Sequence, residues 1–127
     1  MNANADRIND LSELVIGGAV EVAKTLGAGF LEKVYENALA YELRKRGLAV
    51  SQQCDVVVRY AGVVVGEYLA DMLVEDALLV ELKAVKALDS AHLAQCVHYL
   101  RATDLHLCLL LNFGKPRLEI KRVVLGL

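Results

Sequence analysis

Several features that would assign this 127-residue chain to a familiar class are scarce or missing. It has one proline, no tryptophan and 6% aromatic residues, and no segment is repeated or of low complexity. Because such a chain offers no obvious linker, we expect a single domain over residues 1–127. That length is sufficient to bury a hydrophobic core.

Cysteines are also few. Cys54, Cys96 and Cys108 are far apart in the sequence, odd in number and form no CxxC pair. This pattern argues against a disulfide framework and a zinc knuckle, and it predicts free thiols in a reducing compartment. Along the sequence, none of the three has a neighbouring resolving thiol or an activating cation, so a thiol or redox enzyme fits poorly.

Long apolar runs are missing although 56% of the residues are hydrophobic. Charged residues interrupt each run before it reaches the length of a membrane helix, and the first ten residues lack the pattern of a signal peptide. We therefore expect a cytoplasmic protein with no membrane segment. The apolar excess favours a sheet covered on both faces, an oligomer interface such as that of a homodimer, or both.

An excess of positive charge is absent as well. The net charge is −2 and the pI is about 5.9. Proteins that bind nucleic acid through many phosphate contacts usually carry a basic excess. A nucleic-acid partner would therefore have to be held by a local basic patch, a metal ion or a partner subunit.

The spacing of apolar residues predicts two helices at the start of the chain. Residues 6–26 repeat apolar side chains at intervals of three and four, and Gly27 and Gly29 interrupt the pattern. A second helix is predicted from Phe30 to Arg46, with three cations in its last turn and Gly47 as its C-terminal stop.

The rest of the chain predicts mostly strands. DVVVRY and VVVGEYLADMLV alternate like strands joined by a tight turn at Ala61-Gly62, and a turn at residues 75–77 leads into LLVELKA. Asp89 to Arg101 returns to helical spacing, and LHLCLLLNF and RLEIKRVV are the last two strands. The order α-α-β-β-β-α-β-β predicts an α/β fold with a central mixed sheet flanked by helices.

Three polar residues stand within the most apolar strands. Glu81 and Lys83 are two apart, so they point to the same side of the sheet. If the turn takes residues 75–77, Asp71 lies opposite Glu81 on that side, with the Cβ atoms about 5 Å apart. A two-residue turn would place Asp71 on the other face, so the hairpin register tests this interpretation.

Two buried carboxylates side by side are unfavourable unless something compensates their charge. A divalent cation removes that cost, and hard oxygen ligands suit Mg²⁺ or Mn²⁺. Lys83 could then position an attacking water or stabilise charge at a phosphate. The alternative is that Glu81 and Lys83 form the solvated face of an edge strand, because D…ExK spacings also occur by chance.

Two motifs resemble a known group of enzymes. Asp71 followed by the E-L-K run at residues 81–83 resembles the D…(D/E)xK signature of the PD-(D/E)XK nuclease superfamily, with Ala70 where a proline is usual. GFLEKVY resembles the G-x-x-E-x-x-Y pattern of a family of small predicted nucleases, and the resemblance extends over nearly the whole chain. It implies a restriction-endonuclease-like fold and metal-dependent hydrolysis of phosphodiester bonds in DNA or RNA.

The resemblance also implies a role for each matching residue. Asp71 and Glu81 would bind the metal, with the Leu82 carbonyl and Glu32 as further ligands, and Lys83 would orient or activate water. The implied supporting positions are Tyr35, Gln95 and Tyr99. Read from the residues alone, Glu32 and Tyr35 fit a solvated Glu beside a core Tyr as well as they fit a role in the site. Gln95 and Tyr99 also fit the ordinary polar face of an amphipathic helix.

Two classes of function therefore remain open. The first is a Mg²⁺-dependent nuclease. The second is a non-catalytic module of the same fold that binds a partner or regulates it, which the acidic pI and the apolar content favour. An apolar face covering the acidic residues would favour the module, whereas an open cleft rimmed by basic residues would favour the nuclease.

Overall fold

The computed structural model describes residues 3–127, so Met1 and Asn2 of the expected 1–127 domain lie outside the described residues. The elements follow the predicted order, and the predicted α/β fold with a mixed sheet is confirmed. They are α1 (Ala3–Leu26), α2 (Glu32–Lys45), β1 (Val50–Tyr60), β2 (Val63–Val74), β3 (Leu78–Lys83), α3 (Ser90–Thr103), β4 (Leu107–Asn112) and β5 (Glu119–Val124).

The five strands form one sheet in the order β1-β2-β3-β4-β5. Neighbouring strands are antiparallel except β3 and β4, which are parallel and joined through α3. A parallel connection requires such a crossover element. The apolar sequences of the two parallel strands follow from their position, because strands inside a sheet with helices on both faces are buried on both sides.

Helices cover both faces of the sheet. α1 and α2 pack on one face, where Val15 and Leu39 belong to the same buried cluster as Val80 of β3. α3 packs on the opposite face, where Leu100 and Leu79 belong to a second buried cluster. Side chains alternate along β3, so its even-numbered residues lie in the α1/α2 layer and its odd-numbered residues lie on the α3 face.

The longest helix, α1, follows its apolar periodicity closely. Its buried side is the predicted stripe that begins at Ile8 and ends at Val22, and Leu14 and Val20 on the other side are exposed. Across residues 3–127, no helix combines the length and the apolar character that crossing a membrane requires.

The two hairpin turns have the lengths predicted for them. Ala61 and Gly62 both have positive φ, 52° and 80°, which is the conformation of a two-residue type I′ turn. In the next hairpin Val74 pairs with Leu78 across residues 75–77. The register that places Asp71 opposite Glu81 is therefore confirmed.

Candidate active site

Asp71 on β2 and Glu81 on β3 lie where the regular pairing of these strands ends. The paired residues run up to Met72 and Val80, and the next step in the same register is Asp71 with Glu81. At this step side chains replace the ladder bonds. The Asp71 amide donates to Glu81 Oε2 at 2.6 Å, and the Leu82 amide donates to Asp71 Oδ2 at 2.8 Å. Each carboxylate is thereby fixed on the backbone of the opposite strand.

An irregularity in the neighbouring strand lies beside this break. Gln53 of β1 has a φ of 55° and no partner in β2, although the residues on either side of it are paired. The register is the same on both sides of Gln53, which therefore stands opposite Asp71, so both strands lose their regular pairing at this one step. Met72 packs in the α1/α2 layer while Ala70 packs in the α3 layer, so the alternation of faces changes at Asp71.

Burial controls the charge of the two carboxyl groups. Glu81 is 2% exposed. Burial, and then the charge of Asp71, raise the pKa of Glu81 from 4.5 to about 8. The pKa of Asp71 is also raised, chiefly by burial, although the Leu82 amide acts in the opposite direction. At neutral pH the pair is therefore stabilised either by binding a proton or by binding a cation, because each reduces the buried negative charge.

The donor set of this pair fits a hexa-coordinate hard cation that keeps part of its water shell. Within residues 3–127 no group of three or more His, Cys, Asp or Glu side chains forms an all-protein metal cluster. Mg²⁺ is usually bound through one or two carboxylates and keeps several waters. Asp71 and Glu81 supply that number of carboxylates, and a cation would offset the unfavourable burial of their charges.

Lys83 extends from the same face of β3 as Glu81 and contacts α3. Its Nζ donates to Gln95 Oε1 at 3.3 Å, and Gln95 Nε2 donates to the Tyr99 hydroxyl at 3.2 Å. Burial raises the pKa of Tyr99, and the charges of Glu81 and Asp71 raise it further. The structure thus brings the two expected supporting residues of α3 to Lys83 and the carboxylate pair.

Glu32 lies at the edge of the same site as the first residue of α2. Partial burial raises its pKa, and Asp71 raises it further while Lys83 lowers it. The Glu32 carboxyl is therefore near enough to feel the charges of both groups, but within residues 3–127 it does not join Asp71 and Glu81 in a three-carboxylate metal cluster.

Tyr35, in contrast, lies in the core, and its hydroxyl forms hydrogen bonds with the loop that precedes Glu32. Its hydroxyl donates to the Gly27 carbonyl at 2.5 Å and accepts from the Phe30 amide at 3.1 Å. Its ring stacks on Phe113 at a centroid distance of 4.8 Å. Gly29 between these contacts has a φ of 118°, which residues with a side chain rarely adopt. The glycine and tyrosine of the motif therefore shape the loop that presents Glu32.

A buried polar cluster that the sequence analysis did not identify lies behind Asp71. Glu36 is 2% exposed and accepts from Gln52 Nε2 at 2.7 Å, Gln53 Nε2 at 2.8 Å and Lys33 Nζ at 2.9 Å. The charge of Glu36 raises the pKa of Asp71, and a hydrogen bond from Gln53 lowers it. The available signal was a glutamate one turn after Glu32 together with two glutamines at the start of a strand.

Asn112 at the end of β4 fixes the segment that follows Lys83. Its side chain accepts from the Val85 and Gly114 amides, both at 3.0 Å, and donates to the Val85 carbonyl at 3.0 Å. The backbone at Val85 lies so close to Gly114 that a side chain would not fit there. These contacts hold the segment that follows β3 in place.

The fold brings together two thiols that are distant in sequence. Cys96 of α3 and Cys108 of β4 are buried, and a hydrogen bond with Cys96 and burial raise the pKa of Cys108 well above its usual value. A buried thiol that stays protonated is a poor nucleophile. These cysteines are therefore packing residues on the α3 face.

The sequence model of one family, described as the PD-(D/E)XK nuclease superfamily, matches residues 9–123. No curated protein matches the sequence at a significant level. The fold is similar to the crystal structure of SSO0001, with a TM-score of 0.56 and 15% identity, over 98% of this chain and 62% of that one.

A second solved structure is less similar. It is an alkaline exonuclease (LHK-Exo) from Laribacter hongkongensis, with a TM-score of 0.46 and 16% identity, over 99% of this chain and 73% of that one. At these identities, the likeness to SSO0001 concerns the fold, and this chain spans about 62% of the length of that protein.

Proposed function

The chain belongs to the PD-(D/E)XK nuclease superfamily, and from this membership we propose that it is a metal-dependent nuclease with its site at Asp71, Glu81 and Lys83. The observation that carries the proposal is the buried carboxylate pair, held where β2 and β3 stop pairing, with an ammonium group on the Glu81 face. Perturbed titratable groups of this kind are typical of functional sites.

Asp71 and Glu81 would hold Mg²⁺ or Mn²⁺, with the Leu82 carbonyl and Glu32 as further ligands. When bound, the cation would supply Lewis acidity toward a phosphodiester oxygen and would lower the pKa of a coordinated water. Glu32 supports this assignment because it begins α2 and its pKa is raised by the charge of Asp71. The protein holds these oxygens ready through the backbone amides of Asp71 and Leu82.

Lys83 would orient the attacking water and stabilise negative charge that develops on the phosphate. The Lys83 ammonium donates a hydrogen bond to Gln95, and Gln95 donates one to the Tyr99 hydroxyl. The lysine is therefore positioned before substrate arrives. Preorganised donors of this kind stabilise a transition state without reorganisation at the moment of reaction.

We further propose that the chain is a member of the G-x-x-E-x-x-Y group of this superfamily and that residues 1–127 form one domain in the cytoplasm. Gly29 and Tyr35 support the first point, because together they shape the loop before Glu32. The two layers of core residues support the second, because both pack on a single sheet.

Cleavage of a panel of end-labelled substrates tests the nuclease function. We expect the purified protein to cut at least one of single-stranded DNA, duplex DNA and RNA with Mg²⁺ or Mn²⁺, and none of them in EDTA. Asp71→Asn should abolish cleavage because it removes one carboxylate of the proposed metal site. Asp76→Asn is the matched control, since Asp76 is exposed in a turn where asparagine tolerates the positive φ of 53°. Cleavage that persists in Asp71→Asn would place the activity elsewhere.

One observation favours the second candidate, a non-catalytic partner-binding module. The end of the β1–β2 hairpin exposes several large apolar side chains, namely those of Tyr60, Val63, Val64 and Val65. Contiguous exposed apolar surface often marks an interface, including that of a homodimer. If the folded protein cuts nothing in the same panel and has a mass in solution well above 13.9 kDa, this function would replace the nuclease.

A further inference from the structure

A groove of about 960 Å³ lies between α3 and the β1–β2 hairpin, on the α3 face of the sheet. Its volume is in the upper part of the roughly 300–1,000 Å³ range of ligand pockets. Small side chains leave this space open, because Ala91 and Ala94 lie on the α3 wall at helical spacing.

The groove is continuous with the candidate active site. Gln95 and Tyr99 line it, and the same two residues form the hydrogen-bonded chain to Lys83. The polymer that continues from a scissile phosphate beside Lys83 would therefore enter this groove.

An aromatic ring is presented inside the groove. Tyr68 of β2 lies on the groove wall and is 54% exposed. Its ring is 5.9 Å from the buried ring of Tyr99, centroid to centroid, at an interplanar angle of 44°. Tyr99 thus supports Tyr68 from one side and leaves much of the ring accessible. An exposed, supported aromatic ring is a platform on which a nucleobase can stack.

The groove also carries positive charge, in contrast to the net charge of the whole chain. Arg59 of β1 and Arg101 of α3 line opposite walls, with His98 one turn before Arg101 and the carboxylate of Asp104 nearby. Both arginines are exposed. Two guanidinium groups in a groove that also holds an aromatic platform match the backbone phosphates and the base of a nucleotide chain.

We propose that this groove binds an unpaired strand of nucleic acid beside the cleaved phosphate, with a base on Tyr68 and phosphates at Arg59 and Arg101. The inference rests on the proposed nuclease function and specifies its substrate class. An unpaired strand is required because the base faces of a duplex are already stacked on neighbouring base pairs, whereas unpaired bases can be splayed onto aromatic side chains. A single-stranded substrate, or a frayed or overhanging end, is therefore favoured over an intact duplex.

Fluorescence anisotropy of labelled oligonucleotides in EDTA tests the proposal, because binding is then measured without cleavage. Short single-stranded DNA, the same sequence as RNA and the corresponding blunt duplex are the probes. We expect the wild-type protein to bind at least one single strand more tightly than the duplex. Tyr68→Ala should weaken that binding about tenfold or more, since it removes the stacking platform.

Two further variants make the result specific to the groove. Tyr60→Ala removes a tyrosine of the same hairpin that is 76% exposed and does not line the groove, so its affinity should equal that of the wild type. Ala94→Leu fills the groove from an exposed helical position and should weaken binding without unfolding the protein. Arg101→Ala should reduce the slope of log affinity against log salt by about 0.7.

Failure of this proposal is distinguishable from failure of the nuclease function. Asp71→Asn, which should abolish cleavage, should still bind the single strand. A protein that cuts nucleic acid but binds duplex as tightly as single strand, or whose Tyr68→Ala and Ala94→Leu variants bind as the wild type does, would overturn the proposal and leave the nuclease function standing. Single-strand binding without cleavage would support the groove and contradict the nuclease.

Discussion

Replacing Lys83 with alanine is expected to lower the cleavage rate by about 10²–10³-fold while the protein still folds and binds metal. The Lys83 ammonium lies on the Glu81 face and is held by Gln95 Oε1 at 3.3 Å. Its removal takes away a donor for the attacking water and for the developing charge, but it removes no proposed metal ligand. Single-turnover kinetics on whichever substrate is cut measures the chemical step directly.

Lys86→Ala is the matched control for this substitution. Lys86 follows Lys83 by three residues and is exposed beyond the end of β3. Its loss should change the rate by no more than a small factor. If the Lys83→Ala protein cleaves as fast as the wild type, the activity arises at another site or from a contaminant.

Replacing Glu81 with glutamine is expected to stabilise the metal-free protein in alkaline solution. The Glu81 pKa is about 8 in the folded protein and 4.5 as its ordinary value. Below pH 4.5 the group is protonated in both states, so the shift has no effect on folding. Between these values only the folded state keeps the proton, so stability falls as pH rises to about 8 and remains lower above it.

Glutamine keeps the shape of the side chain, and its oxygen can accept the hydrogen bond from the Asp71 amide without carrying a charge. In EDTA at pH 9 we expect Glu81→Gln to exceed the wild type by on the order of 2 kcal/mol, which is several degrees in Tm for a domain of this size. At pH 5 the two proteins should melt at nearly the same temperature. Glu67→Gln, a substitution at an exposed carboxylate on β2, should show no such pH dependence.

A bound divalent metal is expected to make the wild type more stable than Glu81→Gln. Saturating Mg²⁺ or Mn²⁺ should raise the Tm of the wild type by mass action, and should raise that of Glu81→Gln far less because one carboxylate ligand is gone. A gain in stability for Glu81→Gln that is equal at pH 5 and pH 9 would show that the buried charge at this position is not the cause.

The fold could be predicted from the sequence because local signals agreed with each other. Turn residues at Ala61-Gly62 and at 75–77 set the lengths of both hairpins. The register of the second hairpin then followed, and with it the position of Asp71 opposite Glu81. Short-range patterns carry this information because the period of a strand is two residues.

The surroundings of the carboxylates could not be predicted in the same way. The loss of regular pairing at Gln53 is one example. Another is the cluster in which the Glu36 carboxylate accepts hydrogen bonds from Gln52 and Gln53, which are 16 and 17 residues further along the chain. The contact between Cys96 and Cys108 likewise depends on how α3 packs on β4. Nothing in the local sequence specifies such pairs, because tertiary packing decides them.

Tyr35 illustrates a different difficulty. The motif placed it beside Glu32, and the structure places its ring in the core, with its hydroxyl on the loop at Gly27 and Phe30. Spacing along a helix identifies which residues share a flank, but it does not identify whether the end of a side chain reaches the site or a neighbouring loop.

Calorimetric titration of Mn²⁺ and Mg²⁺ into the metal-free protein is the most direct test of a divalent cation site at Asp71 and Glu81. It requires no knowledge of the substrate. We expect saturable binding to the wild type and to Asp76→Asn, and its loss in Asp71→Asn. Binding that survives Asp71→Asn unchanged, or a wild-type protein that binds neither metal, would contradict the proposed metal site.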